Sequence, residues 1–176
     1  MAYQYRREPI TSDEADRLVK CCKSAEEKLV VWTLLETGLR VSEVAGLTKD
    51  SVDTQSHRLT VYGKGSVNGR RGAKRRVIQL SGNLRTILEP HLISNETFGV
   101  GVRKMQYMLR RVAKRANIQR PVSPHVCRHY FAVQALKKGI SLRTLMELLG
   151  HNNLTTTAIY LNLAPEDALR EFESKW

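Results

Sequence analysis

The chain has 176 residues, with 29 Lys and Arg against 17 Asp and Glu and a formal charge of +12. That length suits one domain with one core, and so large a basic excess fits a polyanionic partner, nucleic acid first. No window approaches ~18 consecutive apolar residues and the opening MAYQYRREPI is not a signal peptide, so a soluble, cytoplasmic protein is expected, with no membrane span.

In chain order, Thr11-Ser12 ahead of Asp13 and Glu14 starts a helix running to about Cys22. From Ser24, AEEKLVVWTLLETG is apolar nearly all round after its first turn, which predicts a central helix stopped by Gly38. VSEVAGL forms a short helix after Arg40. HRLTVYGKG and KRRVIQL then alternate apolar and polar residues around a Gly-rich segment with Asn68-Gly69, the pattern of a β-hairpin. From Val102 to Asn117, Val102, Met105, Leu109, Val112 and Ala116 fall on one helical face and basic residues on the others. Ser123, Pro124 and Gly139 mark the N-cap, first position and end of the next helix. Ser141 to Leu149 forms another, Asn153 caps the helix carrying Tyr160, and Pro165 opens a short one from Glu166 to about Glu173. The expected fold class is α+β, mainly α-helical, with a small antiparallel sheet on one side. Adjacent Cys21 and Cys22 and a lone Cys127 offer neither a disulfide framework nor a metal pattern, so reduced thiols are expected.

Several residues fit structural expectation poorly. The helix opening at Pro124 carries His125, Arg128 and His129 in its first turns and no acid, against the preference of a helix N-terminus for anions. A bound phosphate would reconcile the two; a solvated basic turn is the competing explanation. Arg40 stands at a helix junction between Leu39 and Val41, which anchor it in the core and let its guanidinium be aimed, with Glu43 in reach to hold it. A surface pair with Glu43 is the alternative. Between Lys64 and Arg76 there are six basic residues and no acid. Of these, Arg70, Arg71, Lys74, Arg75 and Arg76 are read as phosphate-backbone contacts. Lys64 stands apart because Gly63 and Gly65 let its backbone approach a substrate closely. Taken alone, His151 reads as a helix-end histidine and Tyr160 as a core residue.

In order, however, TGLRVSEVAGL, YGKG, HVCRH, LLGH and TTTAIYLNL resemble the catalytic domain of tyrosine recombinases, over roughly Thr11 to Leu163. The resemblance implies that Arg40 and Arg128 grip a scissile phosphate and that Glu43 supports Arg40 from behind. It also implies that Lys64 protonates the leaving 5′-oxygen, His125 assists proton transfer, His151 contacts the phosphate and Tyr160 attacks phosphorus. The partner it implies is double-stranded DNA. The chemistry asks for no metal and no other cofactor, because two permanently charged guanidiniums can hold equatorial oxygens as a metal ion would.

The segment after Lys64 is longer than the family's usual hairpin, so Lys74 stands as a second candidate for the acid. The family's N-terminal DNA-clamping domain has no counterpart before Thr11, and residues 1–176 read as one catalytic domain, a fragment of a longer recombinase being favoured over a short natural form. The family implies a tetramer on DNA joined by exchange of a C-terminal segment, here 165–176, with a monomer expected in isolation. Two other readings compete: a DNA-binding module without chemistry, and a type IB topoisomerase.

Overall fold

The computed structural model describes residues 9–63 and 75–150. Helix α1 (Ser12–Lys20) starts at a reciprocal cap, in which Thr11 Oγ1 accepts from the Glu14 amide and Glu14 Oε2 accepts from the Thr11 amide. Helix α2 (Ala25–Thr37) is capped by Ser24 and ends at Gly38, whose φ of 60° lies in the left-handed region. That glycine is required twice over, since a β-carbon there would also collide with the Phe131 ring. Leu29, Val30, Val31, Leu34 and Leu35 of α2 are buried, and the helix packs against α1 and four helices that follow, α3 (Val41–Ala45), α4 (Gly82–Asn95), α5 (Val102–Arg115) and α6 (Pro124–Lys137). The central helix expected from its apolar composition is therefore the spine of the core. Each fully buried leucine in it contributes about 1.5–3 kcal/mol of apolar transfer.

The sheet is antiparallel and ordered β1 (Val52–Asp53), β2 (Arg58–Tyr62), β3 (Arg75–Gln79). Leu59 pairs with Ile78 and Val61 with Arg76 in the β2–β3 register. Leu59, Val61, Arg76 and Ile78 face inward, while Arg58, Tyr62, Arg75 and Val77 face out. The hairpin strands follow the sequence pattern; β1 is an addition, too short to show a period.

Helix α4 is a further addition. Ser81 caps it, accepting from the Leu84 amide, and Leu84, Leu88 and Leu92 form one buried stripe. Pro90 lies inside it and removes one backbone donor, the reason its sequence reads poorly as a helix. Along α5 and its C-cap Ala116, Met105, Leu109, Val112 and Ala116 are buried as the periodicity predicts, while Val102 at its start is only half-buried. Helix α6 opens on the Ser123 cap with Pro124 at its first position, and α7 (Leu142–Leu149) is capped by Ser141 and closed by Gly150 at φ 66°. A second, small apolar cluster joins α6 and α7 through Ala132, Ala135, Leu145 and Leu149. The expected α+β class, mainly helical with a small sheet, is the observed one. Among the described residues no helix is long and apolar enough to cross a membrane.

All three cysteines are free. Cys127 is fully buried in α6, and burial pushes its thiol up to about 12, so it is inert packing one residue before Arg128.

Candidate active site

Four charged side chains from separate parts of the chain meet where α2, α3, α6, α7 and β3 come together. Gly38 turns the chain out of α2, Leu39 is buried, and Arg40 becomes the residue before α3 with extended backbone. Glu43, one turn into α3, reaches back to accept from the Arg40 amide at 2.7 Å and from Arg40 Nη1 at 3.0 Å. Glu43 is thus in contact with both the amide and the guanidinium of Arg40.

Arg76 holds the same carboxylate. Its Nη1 donates to Glu43 Oε1 at 3.0 Å and its Nη2 to Oε2 at 2.6 Å, a two-pronged pair in which the side chains are 7% and 6% exposed. With two donors on each oxygen, Glu43 is saturated. Burial pushes the Glu43 carboxyl up, but the hydrogen bonds from Arg76 and the Arg40 amide, with both guanidinium charges, outweigh it and hold the group below the usual glutamate range. The remaining edge of Arg76 donates from Nε to the Leu148 carbonyl at 2.8 Å, near the end of α7.

Arg128, 5% exposed, ties down the next carbonyl. Its Nη2 donates to Leu149 O at 2.7 Å and its Nη1 to Gly38 O at 2.7 Å. These bonds close a ring: Arg40 to Glu43, Glu43 to Arg76, Arg76 and Arg128 to successive carbonyls of α7, and Arg128 back to the turn carrying Arg40. Among the described residues two guanidiniums, those of Arg40 and Arg76, share the Glu43 carboxylate, and the guanidinium of Arg128 is fixed to backbone carbonyls of the same junction.

Arg40 also borders an open cavity of about 390 Å³. Ser42, Glu43 and Leu47 form one side of it, and Tyr62 and Gly63 at the end of β2 the other. Lys64 follows Gly63 in sequence, and His151 follows Gly150. His125 stands exposed in the first turn of α6, one turn ahead of Arg128, in a turn that holds no acid.

Of the residues singled out from sequence, the structure brings together Arg40, Glu43 and Arg128, with His125 on the helix that bears Arg128. Lys64, Arg70, Arg71, Lys74, His151 and Tyr160 lie outside the described residues, as do the expected helices around Tyr160 and after Pro165. Arg75 is exposed on β3, as a phosphate contact needs to be. Arg76 is not: expected among the phosphate contacts, it is turned inward with its guanidinium engaged by Glu43 and Leu148. The signal was in the alternation itself, because Arg76 shares the inward phase of Ile78 and Leu80, and an inward charge demands a partner.

With this geometry in view, the chain belongs to the phage integrase family, whose profile matches residues 8–167. It is 34% identical over 182 aligned residues to the tyrosine recombinase XerA of Thermococcus kodakarensis, covering 94% of this chain and 61% of that protein. The crystal structure of a XerA recombinase is similar at a TM-score of 0.79 and 29% identity, covering 98% of this chain and 66% of that one. The XerH site-specific recombinase, in a pre-cleavage complex with its difH substrate, shares the fold at a TM-score of 0.72 and 20% identity, over 96% and 55% of the two chains. Across the curated relatives it matches, the chain spans between half and about three fifths of their length.

Proposed function

We propose that this chain is the catalytic domain of a site-specific DNA recombinase or integrase that cuts and rejoins strands through a 3′-phosphotyrosyl intermediate. The observation that carries the reading is the closed ring of bonds that aims Arg40 and Arg128 from one rigid junction. In-line displacement at a phosphodiester loads negative charge on the non-bridging oxygens. Two guanidiniums fixed before the reaction starts stabilise that charge without reorganising.

In this reading Tyr160 Oη forms the bond to phosphorus as the bond to the 5′-oxygen breaks. A phenol with a pKa of about 10 needs cations and a proton acceptor nearby, roles given to the arginines and His125. Lys64 delivers a proton to the leaving 5′-oxygen, and His151 contacts the phosphate. The phosphotyrosyl bond conserves the energy of the broken phosphodiester, so a DNA 5′-hydroxyl can reverse the step on the same or another strand without ATP. Arg70, Arg71, Lys74 and Arg75 follow the DNA backbone beside the site. Residues 1–176 serve as the catalytic domain, a homotetramer assembles on double-stranded DNA with 165–176 exchanged between neighbours, and the isolated chain is a monomer in the cytoplasm.

The test is covalent capture on a pool of nicked duplexes with randomised arms, in which the short cleaved strand diffuses away and traps the adduct. The expected result is a denaturant-resistant protein–DNA adduct for the wild-type chain and none for Tyr160→Phe. Binding to the pool without any adduct would leave a DNA-binding module. Relaxation of supercoils by a monomer, without exchange between two sites, would make the chain a topoisomerase instead.

A further inference from the structure

Of the two described residues of the basic run, Arg75 is exposed and Arg76 has its guanidinium spent inside the protein, where all three of its engaged nitrogens point at groups that position other residues. Nη1 and Nη2 fix the Glu43 carboxylate, which in turn holds both the amide and the guanidinium of Arg40. Nε fixes the Leu148 carbonyl, one peptide before the Leu149 carbonyl that Arg128 holds. The guanidinium also lies directly under Gly150: a β-carbon there would stand 3.1 Å from Arg76 Nη1 and 3.4 Å from Cζ, so the turn leading to His151 rests on it. Finally, β3 is the strand by which the chain returns from residues 64–74, so Arg76 joins the strand after Lys64 to the supports of Arg40 and Arg128.

We propose that Arg76 is a positioning residue for strand transfer: it locks the first arginine, the end of α7 and the returning strand into one unit, and does not contact DNA. The inference rests on the strand-transfer reading above. Lysine cannot replace it, because an ammonium is a point charge and cannot span both Glu43 oxygens while reaching Leu148 O.

The test uses the full chain and a nicked duplex recovered from the covalent capture, comparing wild type, Arg76→Lys, Glu43→Gln and the double variant. Arg76→Lys is expected to bind that duplex with unchanged affinity and salt dependence. Its single-turnover rate of adduct formation at saturating DNA falls about 100-fold, the scale of an ångström-sized misplacement of a catalytic group. The double variant is expected to be no slower than Arg76→Lys alone, since whatever Glu43 contributes passes through its bonds to Arg76, which that variant has already lost. Wild-type adduct rates in folded Arg76→Lys would overturn the proposal. So would weaker binding with a salt slope reduced by about one, the mark of a phosphate contact. A lowered melting temperature with an unchanged rate per folded molecule would reduce Arg76 to a structural role and equally overturn it. If Arg76→Lys does not fold, Glu43→Gln decides, and a folded Glu43→Gln with wild-type rates sinks the idea. Absence of any adduct from the wild-type chain sinks the strand-transfer reading itself, a distinct outcome.

Discussion

Along α2, Leu29, Val30, Val31 and Leu34 are held by apolar contact with neighbouring helices, which has no preferred direction and tolerates exchange of similar shapes. Just past the end of the same helix, Arg40, Glu43, Arg76 and Arg128 are held by hydrogen bonds with assigned donors and acceptors, several of them backbone carbonyls. The first region sets how stable the domain is. The second sets where two guanidiniums point, and it is exacting because each bond serves two residues.

Substitutions should separate the two regions. The largest effect is expected for Arg128→Ala, which removes the donor to both Gly38 O and Leu149 O. Adduct formation should fall at least 10²–10³-fold, and stability by about 1–3 kcal/mol for each carbonyl left without its partner, read from single-turnover trapping and urea titration. Arg40→Ala should lose cleavage on the same scale while stability changes by less than about 1 kcal/mol, because Arg40 is partly exposed and Glu43 keeps Arg76. Near-normal cleavage in both variants would remove the distinction between the regions. Leu34→Ala should do the reverse, costing about 2–5 kcal/mol with the rate per folded molecule unchanged.

A smaller effect sharpens the comparison within one strand. Arg75 and Arg76 are adjacent on β3 but face opposite ways. Arg75→Ala should flatten the salt dependence of DNA binding by about one unit of slope, measured by fluorescence anisotropy across salt concentrations. An unchanged slope would mean that this face of the sheet lies away from DNA.

The smallest effect is on pH. The Glu43 carboxyl titrates lower in the folded chain than in the unfolded one. Its stabilising contribution is therefore complete above the unfolded value of about 4.3 and is lost as pH falls through the lowered folded value. Glu43→Gln should remove that part of the acid-side loss in urea titrations between neutral and acidic pH. An acid limb identical in the variant would show that the carboxylate is not held as described.

What was legible in the sequence divides along the same line. Helices α1, α2, α5 and α6 announce themselves through caps, apolar faces and terminal glycines, all of which act within a few residues. Helix α4 did not, because Pro90 interrupts it and its buried stripe of Leu84, Leu88 and Leu92 is narrow. Arg40, Glu43, His125 and Arg128 stood out by motif, and the Arg40–Glu43 contact could be anticipated from a spacing of one turn. The ring could not. Arg76 meets Glu43 across 33 residues, and Arg128 bonds to carbonyls, which every residue possesses and no pattern marks. A charge run drew attention to the number of cations between Lys64 and Arg76, when the strand's parity already set Arg76 apart from them.

The account stands most directly on the convergence of Arg40 and Arg128, and a structure of Tyr160→Phe bound to a captured duplex measures it. The prediction is that guanidinium nitrogens of both residues lie about 2.7–3.1 Å from oxygens of one and the same phosphate, with Glu43 and Arg76 still paired behind them. Arginines seated on different phosphates, or an Arg128 that touches no DNA, would contradict it.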